Sequence, residues 1–237
     1  MATEQQRILI VDDHPLFREG LRQMIERNPE WIVCGEASDA AEAQRLTPEL
    51  QPDLVIVDIS LAGSSGIDLI KTLKTQNEDL PILVISMHDE ALFAERAMRA
   101  KAMGYVMKHE PAKTVQGAIS KVLAGNIYLS ESMSSAMLSK FMLGKEDEPG
   151  SAVESLSDRE LEVFRMIGQG KGTRQIAKEL NLTIATINSF RARIKEKLTL
   201  KSSSELALHA MRHCFQEGAD GRAPPSPGDQ QRTHRSR

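Results

Sequence analysis

A doubly wound parallel α/β domain followed by a small all-helical domain is what this sequence predicts, and three observations carry the prediction. Runs that are apolar throughout, residues 8–11 (ILIV), 54–57 (LVIV) and 82–85 (ILVI), recur through the first half, each ending on a polar residue. Too short for helices and rich in Val and Ile, they read as strands buried on both faces. Segments of helical periodicity lie between them, as at Val115, Ala118, Ile119, Val122 and Leu123, and after Gly125 only short helical patterns remain.

Composition sets the outer bounds. The 237 residues are 41% hydrophobic and 27% charged, a globular balance with length for two small domains. No apolar run approaches the ~18 residues that would cross a bilayer, and the start lacks the basic flank and long apolar stretch of a secretory signal. A cytoplasmic chain with no membrane partner is expected. The two cysteines, Cys34 and Cys214, supply neither a disulfide framework nor zinc-ligand spacing. Charge divides the chain: residues 1–126 carry 13 Lys and Arg against 19 Asp and Glu, whereas residues 151–217 carry 11 against 8. A basic second half is compatible with a polyanionic partner.

Along the chain, residues 32–34 and 105–107 are weaker strand candidates that bring the sheet to five strands. Asp39 before Ala40 reads as a helix N-cap, and Pro48 is expected to interrupt the second helix. The first domain therefore spans residues 1–126. Residues 127–154 hold one more helix, over 131–143, and a linker rich in charge, Pro and Gly. Residues 155–217 form the helical domain: Ser157 with Glu160 makes a capping box before Leu161, Phe164 and Ile167, and Gly168 and Gly170 stand where that helix should stop. Residues 218–237, without apolar anchors, are expected to be a disordered tail.

Ligands of an open parallel sheet bind beyond the carboxyl ends of its strands, where strand order reverses. Asp12, Asp13, Asp58 and Ser86 all stand on that edge, with Lys108 directly after the fifth strand. Singly, each carboxylate could merely cap a helix. Converging from separate strands, they would repel one another unless a cation joined them, and an all-oxygen set suits Mg²⁺. Asp58 is then the candidate nucleophile and phosphoryl acceptor, with Lys108 supplying positive charge. His14 and His88 read as loop residues.

At these residues the chain resembles the receiver domain of two-component response regulators, through VDDH, VDISLAGSSG, ISMHDE and GYVMK in order and spacing. The resemblance implies that Asp58 accepts its phosphoryl group from a sensor histidine kinase, and that Asp12, Asp13 and Asp58 hold Mg²⁺ with the backbone carbonyl of Ser60. It also implies that Ser86 and Lys108 contact the phosphoryl oxygens. Tyr105 would be the aromatic switch, the alternative being an ordinary half-buried strand tyrosine. Where the family often has Met-Pro-Gly after the acceptor, this chain has Leu61-Ala62-Gly63, which bears on the lifetime of the phosphorylated state. A Mg²⁺-dependent aspartyl-phosphate phosphohydrolase would normally have an acid two residues after its nucleophile, where Ser60 stands. A phosphorylation-independent scaffold is disfavoured because no site residue is missing.

In residues 173–198, TRQIAKEL reads as a short helix, NLT as a turn and IATINSFRARIKEKL as a longer helix, the grammar of a helix-turn-helix. Asn181 stands where many such turns have Gly, and Asn tolerates left-handed angles. Ile187, Phe190, Ile194 and Leu198 make a buried stripe that turns Asn188, Ser189 and Ala192 outward. Asn188 and Ser189 are candidates for reading bases in the major groove. Arg191, Arg193, Lys195 and Lys197, with Thr173 and Thr186, are candidates for phosphate contacts. From LSDRELEV to SSSELALHAM this region resembles the LuxR-type helix-turn-helix, so about 210 of the 237 residues resemble the NarL/FixJ class of response regulators, in the same domain order. That resemblance implies a transcription regulator rather than an enzyme, which dimerises on phosphorylation and binds inverted-repeat promoter DNA. The last helix, near Ser203 to Arg212, would be the dimer interface, with Leu206, Ala207 and Ala210 as its apolar seam.

Overall fold

The computed structural model describes residues 5–61, 63–88, 90–142 and 152–221, which form two compact units, the first built on a sheet and the second on helices. Strands β1 (Gln6–Val11), β2 (Trp31–Ala37) and β3 (Leu54–Val57) are followed by a two-residue hairpin, β4 (Ser60–Leu61) and β5 (Ser64–Ser65), and then by β6 (Ile82–Ser86) and β7 (Gly104–Met107). The five longer strands make one parallel sheet in the order β2-β1-β3-β6-β7. Order reverses between β1 and β3, the place where the sheet opens a crevice at its carboxyl edge.

Helices α1 (Pro15–Glu26), α2 (Ala40–Leu50), α3 (Gly66–Gln76), α4 (Glu90–Arg99) and α5 (Ala112–Leu123) alternate with these strands. Ile8, Ile10, Leu54, Ile56, Leu83 and Ile85 pack with Leu21 and Ile25 of α1 and Val115, Ile119 and Val122 of α5 in one buried cluster. Their neighbours Leu9, Val11, Val55, Val57 and Val84 are also buried, and the two-residue period turns them to the opposite face. Burial on both faces explains why the strands are continuously apolar.

Local chemistry sets the helix ends. The Asp39 side chain accepts from the Glu42 amide at 2.9 Å, as the N-cap reading expects. The expected break at Pro48 does not occur: α2 runs on to Leu50 and closes on Gln51 at φ 46°. Pro48 falls in the last turn, so its missing amide removes one intrahelical bond, to the Gln44 carbonyl, and the helix ends two residues later. The hairpin β4–β5 was not legible in the sequence. It folds back so closely that a Cβ on Gly66 would lie 2.0 Å from the Asp58 carbonyl oxygen.

Beyond α5 the chain does not leave the sheet at once. Tyr105 donates its amide to the Tyr128 carbonyl at 3.0 Å and Tyr128 donates to Met103 at 2.9 Å, adding an edge bridge before helix α6 (Glu131–Met142). Ser130 joins the same segment to α4, its amide donating to Glu90 Oε1 at 3.0 Å. Linker residues 143–151 lie outside the described residues.

The second unit starts with a 3₁₀ turn (Ala152–Ser155) and continues with α7 (Asp158–Gly168), α8 (Thr173–Glu179), α9 (Ile184–Lys197) and α10 (Ser203–Gly221). Both halves of the Ser157–Glu160 capping box form. Asn181 adopts φ 52° in the turn between α8 and α9, and Thr183 caps α9 by accepting from the Thr186 amide at 3.1 Å. Ile187, Ile194 and Leu198 are buried while Phe190 is only half-buried. Helix α10 reaches Gly221, past the expected start of the tail at 218, and the rest of that segment lies outside the described residues.

Leu206 and Ala210 are both fully buried within this unit, which corrects the reading of Leu206, Ala207 and Ala210 as a dimer seam. Their stripe faces α7, where a Cβ on Gly168 would meet the Ala210 carbonyl and Cys214 Sγ at 2.6 Å. Ala207 is half-buried, and the outward face of α10 carries Leu208 and Met211, 50% and 41% exposed.

Gly168→Ala should therefore destabilise the protein by about 1–3 kcal/mol in urea unfolding followed by far-ultraviolet circular dichroism. Gly117→Ala, at a helical position with open space around it, should stabilise it by roughly 0.5–1 kcal/mol. Equal effects at the two glycines would refute the close crossing of α7 and α10.

Candidate functional site

Strand register builds the site. Val11 pairs with Val57 and Val57 with Val84, while Ser86 pairs with Met107. The residues after Val11 and Val57, Asp12 and Asp58, thus emerge side by side, while Lys108 follows Met107 two residues further along β7 and reaches back to them with its long side chain. Backbone hydrogen bonds extend the ladder to these residues, from Asp58 N to Val11 O at 2.9 Å and from Lys108 N to Ser86 O at 2.8 Å. These strand ends are therefore rigid, as a preorganised site requires.

Lys108 Nζ stands 2.6 Å from Asp12 Oδ2 and 2.7 Å from Asp58 Oδ2, with its side chain only 4% exposed. Phe17 covers the ammonium, its ring centroid 4.5 Å away. The other oxygen of Asp58, Oδ1, is buried without a hydrogen-bond partner. Burial pushes the Asp58 carboxyl above its usual range; Lys108 draws it back down, and Asp12 adds to the rise. One lysine thus only partly offsets the burial of two carboxylates.

Asp12, Asp13, His14 and Asp58 bring one ligand atom each within 4.8 Å of one another. The Asp13 Oδ1 atom is also buried and lacks a well-directed hydrogen bond, although His14 Nδ1 lies 2.8 Å away. Carboxylate oxygens turned inward without donors fit a hard divalent cation such as Mg²⁺, which takes oxygen ligands and retains water. His14, read from sequence as a loop residue, stands against this cluster, with Nδ1 also 3.2 Å from Asp12 Oδ1. Adjacency to Asp12 and Asp13 in the chain was its only signal.

Ser86 and Tyr105 lie at the same edge, both buried. Ser86 Oγ accepts from the His88 amide at 3.2 Å, and the Tyr105 hydroxyl donates to the His88 carbonyl at 2.7 Å. Tyr105 is therefore turned inward. Ser60 Oγ and His88 Nε2 are 2.6 Å apart. His88, read from sequence as a loop residue, is tied into the site by contacts with residues 17 and 28 positions away, which nothing in local spacing announces.

In the helical unit, Asn188, Ser189, Ala192 and Arg193 are exposed on α9, Arg191 and Lys195 are partly exposed, and Thr173 and Thr186 are half-buried. The Ser189 hydroxyl donates back to the Ala185 carbonyl at 3.1 Å, which leaves its oxygen as an acceptor. Lys197 departs from the phosphate-contact reading. Its Nζ pairs with Glu160 Oε2 at 2.6 Å and donates to the Ser155 carbonyl at 3.1 Å, tying α9 to α7. Burial tends to raise the Glu160 carboxyl, yet Lys197 and the Ser157 cap together hold it below its usual range.

Over residues 8–120 the chain matches the response regulator receiver domain, and over residues 154–210 the luxR family of bacterial regulatory proteins. It is 33% identical to the response regulator GacA of Pseudomonas aeruginosa, over 90% of this chain and 99% of that one. It is also 33% identical to the response regulator UvrY of Escherichia coli K12, over 87% and 94%. Among solved structures, RcsB from Salmonella enterica serovar Typhimurium, bound to the promoter rprA in the presence of phosphomimetic BeF₃⁻, is 26% identical. It superposes with a TM-score of 0.56 over 88% of this chain and 99% of that one. A LuxR-family two-component response regulator from Aurantimonas sp. SI85-9A1 is 37% identical with a TM-score of 0.55, over 59% and 99%.

The raised Asp58 carboxyl has a definite sign. Where the folded state holds a proton that the unfolded state has released, stability falls as pH rises from the ordinary value of 3.8 through the folded value. Without divalent metal, Asp58→Asn should melt at a higher temperature than the parent at neutral pH, and the gap should narrow on acidification toward that ordinary value. A gap independent of pH would contradict the electrostatic origin of the strain.

Proposed function

Because the chain belongs to the two-component response regulators that join a receiver domain to a LuxR-type DNA-binding domain, we propose that Asp58 takes a phosphoryl group from a sensor histidine kinase and that this controls promoter binding. The family is one of DNA-binding transcription regulators. The observation that carries the proposal is a buried Asp58 with one oxygen held by Lys108 and the other without a donor.

Asp58 Oδ1 attacks phosphorus while the P–N bond of the phosphohistidine breaks and its electron pair returns to the imidazole. Lys108, already within ion-pair reach of Asp58 Oδ2, balances charge that builds on the phosphoryl oxygens. Asp12, Asp13 and Asp58, with the backbone carbonyl of Ser60, would hold Mg²⁺, which when bound offsets the clustered negative charge. The new phosphoryl group adds about −1.5 to −2 charge and three acceptor oxygens. Ser86 turns its hydroxyl toward them, and Tyr105 follows into the space released.

Helix α9 enters the major groove of promoter DNA, Asn188 and Ser189 reading bases beside the small Ala192. Arg191, Arg193 and Lys195, with Thr173 and Thr186, contact phosphates. Lys197 is omitted from this set because it braces the domain. A phosphorylated homodimer on an inverted repeat would use the outward face of α10, where Leu208 and Met211 are exposed. No described helix is long and apolar enough to cross a membrane, and a DNA target places the protein's work in the cytoplasm.

With acetyl phosphate and Mg²⁺, wild-type protein should acquire a hydroxylamine-labile acyl phosphate that Asp58→Ala lacks, seen as a retarded band in phosphate-affinity electrophoresis. Equal labelling would overturn the acceptor assignment. In DNA binding titrated against salt, Arg193→Ala should flatten the slope of log K against log salt by about one unit, whereas Lys197→Met should leave that slope unchanged. Asn188→Ala should change base preference instead.

A further inference from the structure

Residue His88 is where four parts of the phosphoryl site meet. Its imidazole Nε2 lies 2.6 Å from Ser60 Oγ on the hairpin strand β4, two residues after Asp58. The ring packs on Phe93 of α4 at 4.7 Å between centroids, tilted 36°, and Phe93 is fully buried. Its backbone amide donates to Ser86 Oγ at the end of β6, and its carbonyl accepts from the Tyr105 hydroxyl on β7.

The backbone contacts are open to any residue at position 88, but the bridge to Ser60 depends on the side chain. An imidazole held between a core aromatic and a hydroxyl has little rotamer freedom, so it fixes the distance between the loop after Asp58 and the loop after Ser86. Both loops must adjust if three phosphoryl oxygens are to fit between them. Moving Ser86 disturbs the His88 amide, and withdrawing Tyr105 frees the His88 carbonyl. The Ser60 contact opposes both changes.

We propose that His88 is a positioning residue of the phosphoryl switch: its imidazole, bridged to Ser60 and backed by Phe93, braces the resting site, and phosphorylation must release that brace. This rests on Asp58 as the acceptor. The brace acts through Ser60 and the flanking loops and touches no reacting atom in the resting protein.

The test uses the full chain with His88→Ala, Ser60→Ala, the double variant and His88→Gln, whose amide nitrogen can replace Nε2. Amide hydrogen exchange over residues 59–66 and 86–88 reads the brace without any phosphoryl group. Acetyl phosphate labelling with Mg²⁺ reads its effect on uptake. Losing one neutral hydrogen bond corresponds to about a fivefold shift. Each alanine variant should therefore raise local exchange and the initial labelling rate about fivefold, the double variant should add nothing further, and His88→Gln should restore both toward wild type. If wild type labels and the alanine variants do not differ from it, label more slowly or act additively, the brace is overturned and the acceptor assignment survives. Absence of labelling in wild type overturns the acceptor assignment and the switch role together, whatever the exchange rates.

Discussion

Two carboxylates and one ammonium share a volume from which water is almost excluded, and the first unit is arranged to keep them there. Asp58 is 3% exposed and Lys108 pairs with both it and Asp12. Burying charge is costly unless partners compensate, and one lysine does not compensate two carboxylates fully, as the upward displacement of Asp58 records. A site left short of positive charge, with inward oxygens lacking donors, is ready for a cation and for a group whose own charge a cation and Lys108 can share.

That arrangement depends on register more than on any single residue. The Val11–Val57–Val84 row sets where the acidic residues emerge, and the continuously apolar strands hold the row by burial on both faces. The hairpin after Asp58 then needs Gly66, since any side chain there would strike the Asp58 carbonyl. The helical unit uses similar devices on a smaller scale. Gly168 admits the close approach of α10, and Lys197 locks α9 to α7 through Glu160. The locked helix presents Asn188, Ser189, Ala192 and Arg193 outward.

Much of this was legible because it is local or periodic. The five strands, the Asp39 cap, the Ser157–Glu160 box, the left-handed Asn181 and the outward row on α9 each follow from residue type and spacing. Readings failed where a residue's neighbours in space were remote in sequence. Leu206 and Ala210 form an apolar stripe, but periodicity does not say whether a stripe faces its own core or a second molecule. Lys197 belongs to a basic run, yet its partner Glu160 lies 37 positions away. Pro48 was read as a break because its place in the last helical turn was not apparent.

From the amino-acid order alone came the alternation of strands and helices, the acidic residues at strand ends, and a basic helix behind a capped one, since all of these are written in periods of two and 3.6 residues and in turn chemistry. Tertiary structure alone decided that Lys108 stands between Asp12 and Asp58, that His14 joins the acidic group, and that His88 reaches Ser60 and Tyr105. Such contacts depend on register and on loop paths, through which distant side chains come within hydrogen-bond reach, and no local pattern encodes those distances.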